Sequence, residues 1–311
     1  MVNKLEWLFN IINIPLSYIL NFFADILSNS FAAAVFVFTI FINVALIHLS
    51  IKSQKASVGQ LRIKPKLDEL KKKYGDDRQK YSMEMQKLYQ EENISMSGGC
   101  LPMLIRLPFM FSVYYLITQP LTYLMHISAD TINKLTETLG ITSGGYYREL
   151  QIISAVEKDP SVSAEIAYKL DTIDFSFFGM NLTETPKFSM NIFADAQLIW
   201  IIPFMAFAAQ MLTSVVSMRM QKRANPDAPS MAGMMLTMPL ISLFIGFTVP
   251  AGVGFYWACS SLVSGLIQTA LQYFYGPQKM LATERAKEII KVYEDENKYI
   301  NKRVVDNEID Q

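Results

Sequence analysis

The stretch SGGCLPMLIRLPFMFSVYY, residues 97–115, decides the fold that this sequence predicts. It opens a long apolar segment with two glycines and two prolines, and it places Arg106 inside that segment. A charged side chain at the centre of a membrane helix costs about 2.5–3.5 kcal/mol on insertion scales, so it usually faces protein or water rather than lipid. Arg106 is therefore the first candidate for a functional residue.

The charged residues are segregated along the chain, which is 51% hydrophobic and 18% charged. Runs of about 18 or more apolar residues are typical of transmembrane helices. Four runs carry no Asp, Glu, Lys or Arg: 31–51, 107–127, 196–218 and 228–278. The last run is too long for one crossing, and Pro250 and Gly252 break it near its middle. The sequence predicts an all-α integral membrane protein with five transmembrane helices, at 30–52, 98–127, 196–218, 231–249 and 254–276.

The distribution of lysine and arginine predicts the orientation of these helices. Residues 53–97 form a strongly basic segment, and Arg219, Lys222 and Arg223 lie in the short connection 219–230, so both segments should be cytoplasmic. Segment 128–195 carries five basic residues in a longer stretch rich in Asp and Glu, which indicates the outer side. Five crossings then place the N-terminus outside and the tail 277–311 in the cytoplasm.

Residues 1–29 are predicted to form an amphipathic helix in the outer membrane interface. Polar residues recur every three or four positions, and the opposite face is apolar. The polar stripe consists of Glu6, Asn10, Asn13, Ser17, Asn21, Asp25 and Ser28, and the apolar face of Trp7, Phe9, Ile12, Leu16, Ile19, Phe23 and Ile26. A cleaved signal peptide is the alternative, although Glu6 and the interrupted apolar core argue against it.

The basic segment 53–97 is predicted to form a cytoplasmic helical hairpin. Apolar residues recur at helical spacing on both sides of a turn at 75–77. This stripe serves either to hold the hairpin together or to support a basic outer face that docks a partner.

Motifs for bond-making chemistry are missing from the sequence. Cys100 and Cys259 have no CxxC spacing, and His48 and His126 stand alone, so no metal or cofactor is expected. Neither GxxxxGK[ST] nor HExxH occurs. The formal net charge of zero gives no overall attraction to nucleic acid. We therefore expect no enzyme.

Four sequence motifs resemble those of the YidC family of membrane protein insertases. They are IKSQKASVGQLRIKPKL at 51–67, SGGCLPMLIRLPFMFSVYYLI at 97–117, ITQPLTYLM at 117–125 and VPAGVGFYWACSSLVSGLIQ at 249–268. Together they are specific, and the similarity covers residues from about 31 to 275. The resemblance implies a hydrophilic groove that opens to the cytoplasm and carries a positive charge. In relatives that cation usually sits at the position of Val44, beside Asn43, whereas the position of Arg106 is more often a glutamine.

A layer of polar residues at one depth fits such a groove. Arg106 lies eight residues from Gly98, and Asn43 nine from Lys52, so both sit roughly 12–14 Å from the cytoplasmic ends of their helices. Three further residues lie at roughly 9–14 Å on the other spans: Gln210, Thr237 and Gln268. The alternatives are that Arg106 snorkels to the headgroups, that the amides make ordinary interhelical hydrogen bonds, and that Thr237 bonds its own helix.

The expected function is insertion and folding of client membrane proteins in a bacterial cell membrane without nucleotide hydrolysis. Arg106 would hold an acidic or polar client tail, with newly made membrane proteins and the lipid bilayer as partners. The ribosome and a secretion channel are further candidates, but the tail 277–311 has seven basic against eight acidic residues and lacks a basic docking surface. A small-anion transporter or channel that uses Arg106 is the alternative, and a scaffold for membrane protein assembly is a third class.

Overall fold

The computed structural model describes residues 2–94, 101–142, 147–189, 197–224 and 232–309. It is mostly helical, as the sequence predicts. The helices are α1 Val2–Ile26, α2 Phe31–Ala45, α3 Ile47–Tyr74, α4 Arg78–Glu91, α5 Leu101–Thr118, α6 Pro120–Tyr123, α7 Ala129–Thr138, α8 Arg148–Lys158, α9 Ala164–Leu170, α10 Ile201–Ala224, α11 Ala232–Gly246, α12 Ala251–Tyr275 and α13 Pro277–Ile309. A two-stranded antiparallel hairpin, β1 Ser176–Phe177 and β2 Met180–Asn181, follows α9.

The chain divides into two compact units. The first contains Met1–Ile47 and Met103–Thr269, and the second contains His48–Pro102 and Ala270–Gln311.

One described helical segment, Leu198–Met220, is both long and apolar enough to cross a membrane. Three others are apolar but shorter: Phe31–Ala45, Leu107–Thr118 and Met235–Gly246. The predicted span 98–127 is divided because Pro120 lacks an N–H group and disfavours helical geometry at the preceding Gln119, whose φ and ψ are −128° and 56°. The predicted span 30–52 is divided at Leu46, between α2 and α3. Five crossings therefore stay a prediction.

The α1 helix exists as predicted, and the middle of its polar stripe is turned toward the protein, although Asp25 and Ser28 are exposed. Asn13 and Ser17 are buried, with 0% and 1% of their surface exposed. Two other members of the stripe bond to the segment around α6: the Tyr123 hydroxyl donates to Asn10 Oδ1 (2.8 Å), and Asn21 Nδ2 donates to the Leu124 carbonyl (2.8 Å). The exposed face is mostly apolar and consists of Ile11, Ile14, Pro15, Tyr18, Phe22, Asp25 and Ile26. Asn10 and Asn21 are thus paired within the protein, whereas the buried Asn13 side chain has no hydrogen-bond partner among the described residues, and the face that remains exposed is mostly apolar.

Residues 128–142 and 147–188 fold over one end of the first unit, which we call the capped end. Its α8, α9 and hairpin contribute Ile153, Ile166 and Met180 to one continuous hydrophobic core. The same core contains the adjacent ends of the apolar helices, including Phe31 of α2, Leu116 of α5 and Phe255 of α12.

The second unit contains the predicted helical hairpin. α3 and α4 are joined at the predicted turn, and Asp77 caps α4 by accepting a hydrogen bond from Lys80 N (3.1 Å). Ile63 is buried in the unit, and Lys66 pairs with Glu92. The tail forms α13, which Glu284 links to Arg62 of α3 by an ion pair of 2.6 Å.

Helices α10 and α12 approach closely at Gly265. A Cβ atom at this position would lie 2.3 Å from Thr213 Cγ2, which is closer than real Cβ contacts. The absence of a side chain at Gly265 therefore permits the packing of these two helices.

We expect Gly265→Ala to destabilise the first unit by about 1–3 kcal/mol, because the added methyl group overpacks the contact with Thr213. Thermal unfolding in detergent, followed by tryptophan fluorescence, measures the loss. Adding Thr213→Ser removes the clashing methyl group and should restore most of the stability. Gly233→Ala is the control, because an added Cβ there would meet no described atom of another element within 4 Å. Equal stability of Gly265→Ala and wild type would contradict the close approach.

Candidate functional site

The capped end of the first unit is closed by backbone hydrogen bonds as well as by its core. The first two N–H groups of α12, at Ala251 and Gly252, donate to the carbonyls of Glu184 and Leu182 at 2.8 Å each. These N–H groups have no partner within their own helix. Trp200 Nε1 donates to the Lys187 carbonyl (3.1 Å). The segment after β2 therefore provides hydrogen-bond acceptors for the first N–H groups of α12 and for the indole N–H of Trp200, which directly precedes α10.

The opposite end of the same helices, which we call the open end, has much less burial. Ile202, Ala206 and Ala209 of α10 are buried, but no side chain between Gln210 and Met220 is buried, and all of these residues are described. In α12 the buried positions end at Val263, and none follows up to the end of the first unit. Among the described side chains of α5, 107–111 are partly or fully exposed and Ser112 is the first that is buried. Gln210 and Gln268, two of the predicted polar residues, lie in these less buried parts of α10 and α12.

Asn43 is an exception, because its side chain on α2 is buried with 9% of its surface exposed. Its Nδ2 donates to the Thr39 carbonyl (2.8 Å), and the Thr39 hydroxyl donates to the Val35 carbonyl (2.7 Å). Both side chains thus bond their own helix. The adjacent Val44 is 54% exposed. Of the two neighbours, Asn43 is the one that faces the interior of the unit.

Gln210, one of the predicted polar residues, bonds a neighbouring helix. The Ser242 hydroxyl of α11 donates to Gln210 Oε1 at 2.6 Å, which joins α10 to α11. Sequence reasoning missed Ser242, although a lone serine in an apolar helix is a signal for such a bond. Thr237, also on α11, is exposed and donates to the Gly233 carbonyl of its own helix (2.6 Å). The structure therefore brings Gln210 together with Ser242 rather than with Thr237.

The other two predicted residues, Gln268 and Arg106, lie on α12 and α5. Gln268 lies on α12 and is exposed. Arg106 lies within α5, and its side chain is outside the described residues. Sequence reasoning also missed Ser112 of α5, which is fully buried and whose hydroxyl has no partner among the described residues.

A buried carboxylate attaches α8 to α6. Glu149 of α8 has 1% of its surface exposed. Its Oε2 accepts from Thr122 N (3.0 Å), and its Oε1 accepts from the Thr122 hydroxyl (2.6 Å). Gln119, the N-cap residue of α6, makes no side-chain capping bond, so Glu149 supplies the cap from another helix. Burial raises the pKa of the Glu149 carboxyl, and the Thr122 hydrogen bonds and the charge of Arg148 oppose this effect.

We expect acidification from neutral pH to stabilise the contact between α6 and α8. The folded-state pKa of Glu149 lies above the unfolded value, so its favourable contribution is complete below the unfolded pKa and is lost as the pH rises through the folded pKa. Glu149→Gln should reduce this pH dependence, whereas Glu149→Ala should cost about 1–3 kcal/mol because it leaves the Thr122 donors unpaired. Hydrogen exchange of residues 119–125 between pH 5 and 7 measures both effects. Glu137→Gln on α7 is the exposed control, and an unchanged pH profile in Glu149→Gln would contradict the assignment.

The described part of the first unit has one helix long and apolar enough to cross a membrane and three shorter apolar helices. Such a composition, with backbone groups satisfied within the helices, is typical of a helical integral membrane protein.

Comparison with known families identifies the class more closely. The family described as 60Kd inner membrane protein matches residues 22–278. The chain belongs to this family and is an integral membrane protein, as the resemblance in its motifs indicated.

Two relatives illustrate the similarity. The membrane protein insertase YidC of Rickettsia conorii is 25% identical over 268 residues, which cover 86% of this chain and 39% of the relative. The protein of the same name from Rickettsia bellii is 26% identical over 258 residues, which cover 82% of this chain and 38% of the relative. The chain thus spans about two fifths of the length of these relatives.

Proposed function

We propose that this protein is a membrane protein insertase, which helps newly made membrane proteins enter and fold in the bilayer. The observation that carries the proposal is the contrast between the sealed capped end and the sparsely buried open end, in a member of this family. A client can contact the exposed side chains at the open end, and the seal at the other end prevents a continuous pore. The two named relatives are insertases, which supports the same conclusion.

The proposed topology has five transmembrane helices, at 30–52, 98–127, 196–218, 231–249 and 254–276. Residues 1–29 lie in the outer interface, and 128–195 form the outer cap. The basic hairpin 53–97, the connection 219–230 and the tail 277–311 lie in the cytoplasm of a bacterial cell. The excess of lysine and arginine in 53–97 supports this orientation, and the apolar exposed face of α1 supports its position against lipid.

The proposed groove lies at the open end, with Arg106, Asn43, Gln210, Gln268 and Thr237 as its polar residues. Arg106 contributes the positive charge that holds an acidic or polar client tail. The side-chain amides of Asn43 and Gln210 already form hydrogen bonds within the protein, to Thr39 and Ser242. When a client tail leaves the groove, these amides therefore keep a hydrogen-bond partner.

The apolar segment of the client supplies the driving force. Its transfer from water to lipid contributes about 25 cal/mol for each Å² removed from water. The membrane potential helps an acidic tail to cross, because moving one negative charge outward contributes about 2.3 kcal/mol per 100 mV. Neither step requires nucleotide hydrolysis or a cofactor.

An insertion assay tests the role of Arg106. The purified full chain in liposomes receives a small client with an acidic N-terminal tail, and protease protection measures how much of that tail crosses. We expect Arg106→Ala to reduce insertion at least about tenfold, since it removes a charged contact. Arg106→Lys should retain most of the activity. Arg219→Ala, the same change in charge at the end of α10, is the matched control.

Relocating the charge separates the groove from its alternatives. Because relatives usually carry the groove cation at the position of Val44, and Val44 is exposed whereas Asn43 is buried, Val44→Arg should restore insertion to Arg106→Ala and Asn43→Arg should not. Rescue by Asn43→Arg alone would show that the groove lies on the inward side of α2. Undiminished insertion by Arg106→Ala would mean that the arginine only snorkels. Loss of chloride or phosphate flux in Arg106→Ala, with client insertion intact, would favour the anion transporter.

Cysteine labelling tests the topology. The background is Cys100→Ser/Cys259→Ala. A single cysteine is then introduced at an exposed position of α8 (Lys158→Cys) or of α4 (Gln79→Cys). A membrane-impermeant maleimide added to intact cells should label the first variant and not the second. Glu296→Cys on α13 should be labelled only after the cells are lysed. Labelling of Gln79→Cys in intact cells would reverse the proposed orientation.

A further inference from the structure

The outer cap contains a cavity of about 670 Å³. It lies between the α1–α2 turn, α8, α9 and the β-hairpin, all within the first unit. Its apolar surface comes from Val156, Leu170, Ile173, Phe175 and Met180. Binding pockets usually measure about 300–1,000 Å³ and combine an apolar surface with a few polar groups, so the cavity has room for several side chains of a partner.

The charges at the cavity are all negative. Its lining, which is fully described, contains the carboxylates of Glu157, Asp171 and Asp174 and no Lys, Arg or His. Asp174 accepts hydrogen bonds from Ser176 N (2.8 Å) and the Ser176 hydroxyl (2.9 Å). Glu157 accepts from Asn181 Nδ2 at 3.2 and 3.3 Å. These donors are neutral, and no described residue forms an ion pair with any of the three carboxylates.

The nearby Lys169 does not neutralise this charge. Its Nζ donates to the Met125 carbonyl at 2.6 Å and lies 3.9 Å from Glu165, which is outside the cavity lining. Burial raises the pKa of Glu157, and the charge of Glu184 contributes in the same direction. A cation at the cavity would lower the pKa of Glu157 and so oppose this increase, because it stabilises the ionised carboxylate.

Two exposed aromatic rings neighbour the cavity in sequence. Phe178, at the tip of the hairpin, is 84% exposed and precedes the lining residue Gly179. Tyr168 of α9 is 74% exposed and follows the lining residue Ala167. Exposed aromatic side chains beside a cavity are a common composition of partner-binding surfaces.

We propose that this cavity binds a basic peptide segment of a partner protein on the outer side of the membrane. Lysine or arginine side chains pair with Glu157 and Asp171, and intervening apolar side chains pack on Leu170 and Phe175. The uncompensated carboxylates select a cation, and the apolar surface selects a peptide over a simple amine. A zwitterionic lipid headgroup fits less well, because the carboxylates repel its phosphate. The described residues contain no group of three His, Cys, Asp or Glu that could hold a metal ion.

Peptide binding does not depend on the insertase proposal. The outward position of the cavity rests on the proposed topology, but affinity is measured without insertion. Failure of the binding test therefore leaves the insertion test valid, and the reverse also holds.

Fluorescence anisotropy with the full chain in nanodiscs tests the proposal. The probe is fluorescein-labelled Gly-Lys-Leu-Lys-Leu-Gly-amide, and its twin carries glutamate in place of both lysines. The basic peptide should bind and the acidic twin should not. Glu157→Gln/Asp171→Asn should weaken binding about tenfold, as expected for the loss of two partly exposed ion pairs. Higher salt should weaken binding in wild type more than in this variant.

The control variant is Asp130→Asn/Glu137→Gln on α7, which makes the same change in net charge at exposed positions outside the cavity. It should bind the basic peptide like wild type. Equal weakening by the control would show a diffuse charge effect and would overturn the proposal. Absence of peptide binding would overturn it too, as would equally tight binding of spermine in competition, because the apolar surface would then contribute nothing. Leu170→Ser gives a second measurement and should weaken peptide binding without changing spermine binding.

Discussion

The architecture of the first unit depends on how the backbone groups at its helix ends are satisfied. A helix leaves its first N–H groups without partners, and an apolar surrounding offers none. Here the segment over the capped end supplies partners: the Leu182 and Glu184 carbonyls accept from the first N–H groups of α12, and the Glu149 carboxylate accepts from Thr122 in α6. These bonds fix the cap on the helix ends, and the hydrophobic core then fills the space beneath it. The sealed end follows from this arrangement.

The seal has a consequence for the other end of the same helices. Among the described residues, burial is concentrated at the cap and declines along α5, α10 and α12 away from it. At the open end α10 still packs closely on α12 at Gly265 and bonds α11 through Gln210. Because most of the buried core lies at the cap, the exposed side chains of the open end would be able to contact different apolar segments without loss of the fold.

Much of the architecture could be predicted from the sequence, because it depends on local patterns. Hydropathy and charge indicated the apolar helices, the basic hairpin and its turn at 75–77, and the motifs indicated the family. Periodicity correctly placed Asn10, Asn13, Ser17 and Asn21 on one face of α1, but it cannot say what that face contacts. In water a polar face turns outward. Here it turns to Tyr123 and the Leu124 carbonyl, because these groups offer hydrogen bonds that lipid does not.

The parts that the sequence could not predict depend on contacts between distant residues. Glu149 reads as an ordinary surface carboxylate on a short helix, and only the fold places it beside Thr122, 27 residues away. The bond between Gln210 and Ser242 likewise needs the packing of α10 on α11. The acidic cavity is assembled from four separate segments and has no signature in any one of them. Local periodicity carries no information about such pairs.

The satisfied amides also bear on how the proposed groove would select its clients. Asn43 and Gln210 already have hydrogen-bond partners within the protein, so exchanging those bonds for a client's would gain little free energy. Of the five proposed groove residues, Arg106 alone carries a charge, and a charge attracts an acidic tail over a longer distance than a neutral amide does. Selection in this groove would therefore depend on the charge of the tail rather than on its sequence. Release would be fast because few directional bonds must break, and a protein that must pass on one client and accept the next requires such weak binding.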